Sequence, residues 1–269
     1  MSGFSAGWLQ LREPYDLRAR NSMVISATVA AFENRASVTI ADLACGIGST
    51  FRSLTSRFEC RQNWRLVDND LSLLARTPRS SPPDINVTTM PIDLNRDLEL
   101  ALDGPVDLVT LSALLDLVSG EWLQRFVVET AARRLPVYAA LSYDGRIAFD
   151  PVDAVDEKVI EAVNAHQRTD KGFGAALGPD AVAAAEQGFE RVGYTVVDGV
   201  SDWIFEPRDR EIQTEILSGW ASAAREIGGS SFAEDASSWL IRRREWLARG
   251  RSNIRVGHRD FFAYPTPTR

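Results

Sequence analysis

An α/β fold with a doubly wound, mostly parallel seven-stranded sheet is predicted by three observations. Short apolar runs alternate with helical segments, the run 38–43 passes through a glycine turn straight into a helix, and proline or glycine marks most changes of element. In order, the chain reads strand 38–43, helix near 49–58, strand 64–68, helix near 70–76, strand 87–89, strand 106–111, helix 119–132 and strand 137–142. Pro78, Pro82 and Pro83 make residues 77–86 a loop, because proline lacks an amide donor and restricts the residue before it. Gly104-Pro105 punctuates the chain before the fourth strand, and Pro136 ends the helix that precedes the fifth. Strands 194–200 and 256–264 complete the set. In such a sheet the ligand crevice lies at the carboxyl ends of the strands.

The first turn carries the most chemistry. Gly46 and Gly48 allow the backbone to approach a ligand closely, and Asp68 ends the next parallel strand where a carboxylate accepts hydrogen bonds from a ribose diol. A dinucleotide fingerprint wants a third glycine, yet Phe51 stands there; a Walker loop wants a lysine, and residues 46–53 contain none. Asp42 at the mouth of the turn repels pyrophosphate but suits an ammonium group, directly or through water. The ligand that fits has a ribose and a cation.

With these residues the sequence resembles the class I S-adenosylmethionine-dependent methyltransferases. Their first motif is matched by Asp42-Leu43-Ala44-Cys45-Gly46-Ile47-Gly48, with Ala44 in place of the first glycine. The resemblance puts Asp68 on the ribose, with Asn69 and Asp70 beside it, and Asp93 near the adenine amino group. It makes 106–116 the fourth strand and the loop facing cofactor and acceptor, so that Ser112 joins the cofactor residues and Asp116 becomes a candidate base or cation ligand. The matches span residues 38–118 in the family's order. What they imply is direct transfer of a methyl group to a small-molecule nucleophile, for which the protein supplies alignment and exclusion of water.

Composition limits the partners. A formal charge of -7 and a pI near 5.0 give no general attraction to a phosphate backbone, so nucleic acid is not expected. No apolar stretch approaches membrane length and no basic-then-apolar leader is present, so a soluble cytoplasmic protein is expected without membrane contact. The two cysteines, Cys45 and Cys60, fit a reducing compartment and form no cluster for a metal, and Cys45 is read as a small turn residue. No oligomeric partner can be read.

Residues 1–35 are expected to form a helical cover, with a helix over 11–33 whose face is Leu17, Asn21, Val24, Thr28 and Ala31. Arg12, Glu13, Asp16, Arg18 and Arg20 then mark polar ground around that face, and Tyr15 and Arg18 are candidate acceptor contacts. The cofactor core is expected over 36–143 and 181–269, with an inserted acceptor cap at 144–180 that begins with a turn at Asp144-Gly145. Within the cap, His166, Arg168 and Lys171 are candidates to bind an anionic acceptor, and His166 is also a candidate catalytic group. The alternative is a solvated charge run. His258 reads as structural, and the helical stretch 212–248 is expected to break at 228–231. A cofactor-binding regulatory protein without an acceptor pocket, a protein methyltransferase and a dehydrogenase remain as alternatives, because a cofactor fold does not choose its acceptor.

Overall fold

A computed structural model describes residues 4–78 and 82–266, so part of the proline loop at 77–86 lies outside the described residues. Strand β1 (Ser37–Leu43) is buried along most of its length and pairs in parallel with β2 (Arg61–Asp68) and β4 (Leu108–Ser112). An apolar run of this kind suits the centre of a sheet covered on both faces. The parallel part continues through β3 (Ile85–Pro91) beyond β2 and β5 (Val137–Asp150) beyond β4. Strand β8 (Asn253–Pro265) inserts antiparallel between β5 and β6 (Tyr194–Val200), and β7 (Trp203–Phe205) pairs with the first part of β8. The sheet therefore has eight strands in the order β3-β2-β1-β4-β5-β8-β6 with β7 attached to β8, one more than the sequence predicts. Three residues are too few for β7 to show a period.

Alternate residues of the parallel strands feed two cores. Ala41, Leu43, Val109 and Ala139 meet Trp122 and Phe126 of α6 (Gly120–Ala132) and Phe189 of α8 (Ala181–Arg191). Val38, Ile40, Tyr138 and Ala140 face the opposite side, where Val24 of α2 (Ser22–Ala30) and Phe51 of α3 (Ser49–Leu54) cover them. A third cluster joins Tyr143 and Phe149 of β5, Val159 and Val163 of α7 (Asp156–Gln167), Trp203 and Phe205 of β7, and Ile212, Leu217 and Trp239 of α9 (Arg210–Ala248). Single helical turns α4 (Leu71–Leu74) and α5 (Leu98–Ala101) complete the connections.

Three expectations need correction. The N-terminal helix is two, α1 (Ala6–Ala19) and α2, because Arg20 leaves helical geometry at ψ 133° and the Asn21 side chain caps α2 by accepting from Met23 N and Val24 N. Arg12, Asp16 and Arg20, expected as polar ground around the helix face, are buried, at 7%, 4% and 6% exposure. The expected turn at Asp144-Gly145 is a bulge inside β5, which continues to Asp150 because β8 supplies partners on both sides of a register shift between Tyr143 and Ile147. The cap consequently rests on more than 144–180: α7 packs against α9 and shares a core cluster with β7, and both lie far along the chain.

The α9 stretch does break, at Gly229 (φ 60°, ψ -158°). Beyond it Arg242 pairs with Asp153, while the fully buried Arg243 pairs with Asp156 and donates to Pro151 O at 2.6 Å. Arg242 and Arg243 thus both hold the 151–156 segment, whereas Arg244 donates to Ser218 Oγ within α9, and the three form no basic stripe.

Candidate active site

Three carboxyl-edge positions adopt left-handed backbone without being glycine: Ala44 (φ 52°) after β1, Ala113 (φ 51°) after β4 and Leu141 (φ 54°) in β5. Each such residue costs about 1–2 kcal/mol, and all three line one cavity. Leu141 N is held by Asp260 Oδ1 at 2.7 Å, and Cys45 N by Val67 O at 2.9 Å.

The turn is braced by Asp68. Its Oδ2 accepts from Gly46 N at 2.8 Å and its Oδ1 from Asp70 N at 2.9 Å, leaving each oxygen further acceptor capacity. Burial raises the Asp68 pKa, and those amides counter the shift. A Cβ at Gly46 would come within 3.1 Å of Leu9 Cδ1, so the glycine allows α1 to close over the turn. Gly48 (φ 85°) caps α3, and Asp70 caps α4 by accepting from Ser72 N and Leu73 N. Those contacts, led by Ser72, hold the Asp70 carboxyl below its usual range.

The cavity measures about 1620 Å³ and runs from this turn to the cap. Ala44, Gly46, Asp68, Asn69, Asp70, Asp93, Ser112, Asp116, His166 and Lys171 line it. Asp42 and Gly48 do not: Asp42 is wholly buried beneath the turn, where Thr110 Oγ1 donates to its Oδ1 at 2.8 Å. Burial pushes the Asp42 pKa from 3.8 to about 7, against the pull of Thr110 and Arg20. A direct contact between Asp42 and a ligand is therefore not available in this arrangement. Cys45 is also buried, and burial followed by the Asp42 and Asp68 charges drives its thiol pKa up, which leaves no thiolate for nucleophilic work.

Of the expected acceptor contacts, Tyr15, Arg18 and Arg168 lie outside the cavity lining. Tyr15 OH donates to Asp209 Oδ1 at 3.1 Å, and its ring packs edge-on against Phe205 with Arg18 over it. Arg168 pairs with Asp180 at 2.9 Å on the surface. His166 and Lys171 do reach the cavity; Lys171 Nζ donates to Thr169 Oγ1 at 2.9 Å, and His166 faces Glu226 at 3.5 Å. Burial lowers the pKa of both.

The residues that sequence reasoning did not select come from α1, β7, β8 and α9. Arg12 and Asp16 pair at 2.9 Å, Trp203 Nε1 donates to Asp16 Oδ1 at 2.9 Å, and the Arg12 guanidinium lies over the Trp203 ring. Their i,i+4 spacing was the available signal, although it reads equally as a surface pair. Glu13 pairs with Arg52, which also donates to Ile47 O at 2.7 Å and so ties α1 to the turn. His258 packs on Trp203 with ring centroids 4.6 Å apart, and its Nδ1 faces Val256 O at 3.1 Å. Burial, then Arg12, lowers its pKa to about 3, so the ring is neutral. Asp116, on a 3-10 turn after β4, is 6% exposed with a pKa raised by burial to about 6. Among the described residues nothing donates to its Oδ1, and no group of three or more metal-ligating side chains occurs.

The fold is similar to that of a cyclopropane synthase from Mycobacterium tuberculosis, with a TM-score of 0.53 at 11% identity over 97% of this chain and 94% of that one. It is also similar to a cyclopropane-fatty-acyl-phospholipid synthase-like protein from Lactobacillus casei, with a TM-score of 0.55 at 13% identity over 97% and 95% of the two chains. No protein-family model matches the sequence, and no curated protein matches it. The architecture is the class I S-adenosylmethionine-dependent methyltransferase fold. No helix among the described residues is long and apolar enough to cross a membrane.

Proposed function

We propose that the chain binds S-adenosylmethionine at the carboxyl edge of β1, β2 and β4 and transfers its methyl group to a small molecule held beneath α7 and α9. The observation that carries this reading is that one cavity joins Asp68 to Asp116 and His258, because methyl transfer needs donor and acceptor side by side. When bound, the cofactor supplies an electrophilic sulfonium methyl and leaves as S-adenosylhomocysteine.

The chain's residues fit this cofactor at the ribose. Asp68 is fixed by two amides and retains acceptor capacity on both oxygens, and Gly46 removes the side chain that would block close approach. Asp42, beneath the turn, acts on the ligand through the backbone and Thr110 rather than by contact. The α1 cover, tied down through Glu13 and Arg52, excludes water from the turn. On the acceptor side Trp8, Val163, Ile216 and Trp220 supply apolar lining, and Asp116 supplies a proton acceptor.

The acceptor half of the cavity favours transfer over cofactor binding alone. The residues of α1, α7 and α9 that line it favour a small molecule over a protein side chain. The test is incubation with methyl-labelled S-adenosylmethionine and a cell extract, followed by separation of small molecules from protein. Label in the small-molecule fraction is expected; label confined to protein, or cofactor binding without any transfer, would contradict the proposal.

A further inference from the structure

We propose that the acceptor is an amine whose nitrogen docks on Asp116 and gives that carboxylate a proton before methyl transfer; this rests on reading the cavity as a methyl-transfer site. Asp116 lines the cavity at 6% exposure, and among the described residues no side chain donates to its carboxylate; Oδ1 is sealed from solvent, so Oδ2 is the oxygen that a ligand in the cavity can reach. A buried carboxylate with an open oxygen is costly unless something completes it.

The neighbouring groups do not complete it. Arg12 is the cation whose charge acts on Asp116, but its Nε and Nη2 are committed to the two Asp16 oxygens at 2.9 and 3.2 Å. His258 is neutral, and its Nδ1 faces Val256 O. The backbone amides of Asp116 and Tyr143 favour the charged carboxylate but bring no counter-charge, and the Tyr143 hydroxyl donates to Asn164 Oδ1 at 2.7 Å. Lys171 donates to Thr169. What fits the remaining oxygen is a donor carried by the acceptor molecule.

Among donors, charge selects the amine. An ammonium group supplies both a hydrogen bond and the missing counter-charge, a hydroxyl supplies only the hydrogen bond, and a carboxylate is repelled. The same desolvation that favours pairing also prepares the chemistry. Burial raises a carboxyl pKa and lowers an ammonium pKa, so the proton passes from nitrogen to Asp116 Oδ2 and leaves a neutral amine beside a neutral acid. The freed nitrogen lone pair forms the N–C bond to the methyl carbon. The C–S bond breaks with its electron pair going to sulfur, and the positive charge moves from sulfur to the methylated nitrogen. Asp116 returns its proton to solvent as product leaves. His258, whose pKa lies near 3, lacks the basicity to compete with Asp116 for this proton.

The probes are phenethylamine, 2-phenylethanol and phenylacetate, titrated into the protein with and without S-adenosylhomocysteine. Binding is read from tryptophan fluorescence, since Trp8, Trp203 and Trp220 line the cavity. The amine is expected to bind roughly tenfold more tightly than the alcohol, as a charged hydrogen bond exceeds a neutral one by about that factor, with phenylacetate weakest. In Asp116→Asn the amine's advantage should vanish while titration with S-adenosylhomocysteine still reports a folded site. An alcohol or carboxylate that matches the amine overturns the proposal, as does an Asn variant that keeps the preference or an amine that fails to bind at millimolar concentration. The series on the unaltered chain decides the matter even if the variant does not fold. A missing response to S-adenosylhomocysteine alone counts against the cofactor reading, because amine selectivity is measured independently of it.

Discussion

The Gly46 amide donates to Asp68 Oδ2 across 2.8 Å, so the turn after β1 and the end of β2 behave as one unit. Asp70 N completes the arrangement on the other oxygen at 2.9 Å. The carboxylate that is proposed to hold the ribose also holds the turn beneath it.

Asp68→Ala therefore has two expected effects. Leaving buried amides unpaired costs about 1–3 kcal/mol, read as a lower melting temperature, and S-adenosylmethionine affinity falls by roughly tenfold or more. Asp68→Asn keeps an acceptor oxygen and should lose affinity with a smaller stability cost. Calorimetry and thermal melts check both, and unchanged affinity in the pair of variants would remove Asp68 from the site.

Glu13→Ala cuts the tether from α1 to Arg52. The pair is partly exposed, with Arg52 at 33% and Glu13 at 15%, so global stability should change by no more than about 1 kcal/mol. Amide hydrogen exchange across α1 should accelerate while β1 stays protected. Identical exchange in the two proteins would mean that the cover is held by other contacts.

Arg168 and Lys171 should now behave differently. Arg168→Ala removes a surface pair with Asp180 and is expected to leave methyl transfer unchanged, with a stability effect below about 1 kcal/mol. Lys171→Ala alters the cavity wall and should change the KM for the acceptor. Equal effects of the two substitutions on transfer would refute the division.

The pH dependence of stability should show Asp42. Its folded pKa, near 7, lies above its ordinary value of 3.8, so between those values the folded state binds more proton than the unfolded state. Stability contributed by this group is then present at low pH and declines as pH rises from about 4 to about 7. Asp42→Asn should flatten that part of the profile. Parallel profiles for the two proteins, from denaturant unfolding at several pH values, would show that Asp42 is not held protonated.

The sheet was largely legible because its parallel strands are apolar runs bounded by glycine and proline, and the turn residues Gly46 and Asp68 are fixed by local spacing. The acceptor side was not. Arg12 and Asp16 look solvated until Trp203, far along the chain, donates to Asp16. Asp144-Gly145 has local turn chemistry, yet pairing with β8 keeps it within a strand. His166, Arg168 and Lys171 lie close in sequence, but where one turn points each side chain is decided by packing against Asp180 and α9.

The most direct measurement is calorimetric titration of the unaltered protein with S-adenosylmethionine, S-adenosylhomocysteine and NAD. Saturable binding of the first two at one site per chain is expected, with Asp68→Ala weakening both and NAD giving no comparable heat. NAD binding more tightly than either, or neither sulfur compound binding at all, would contradict the account.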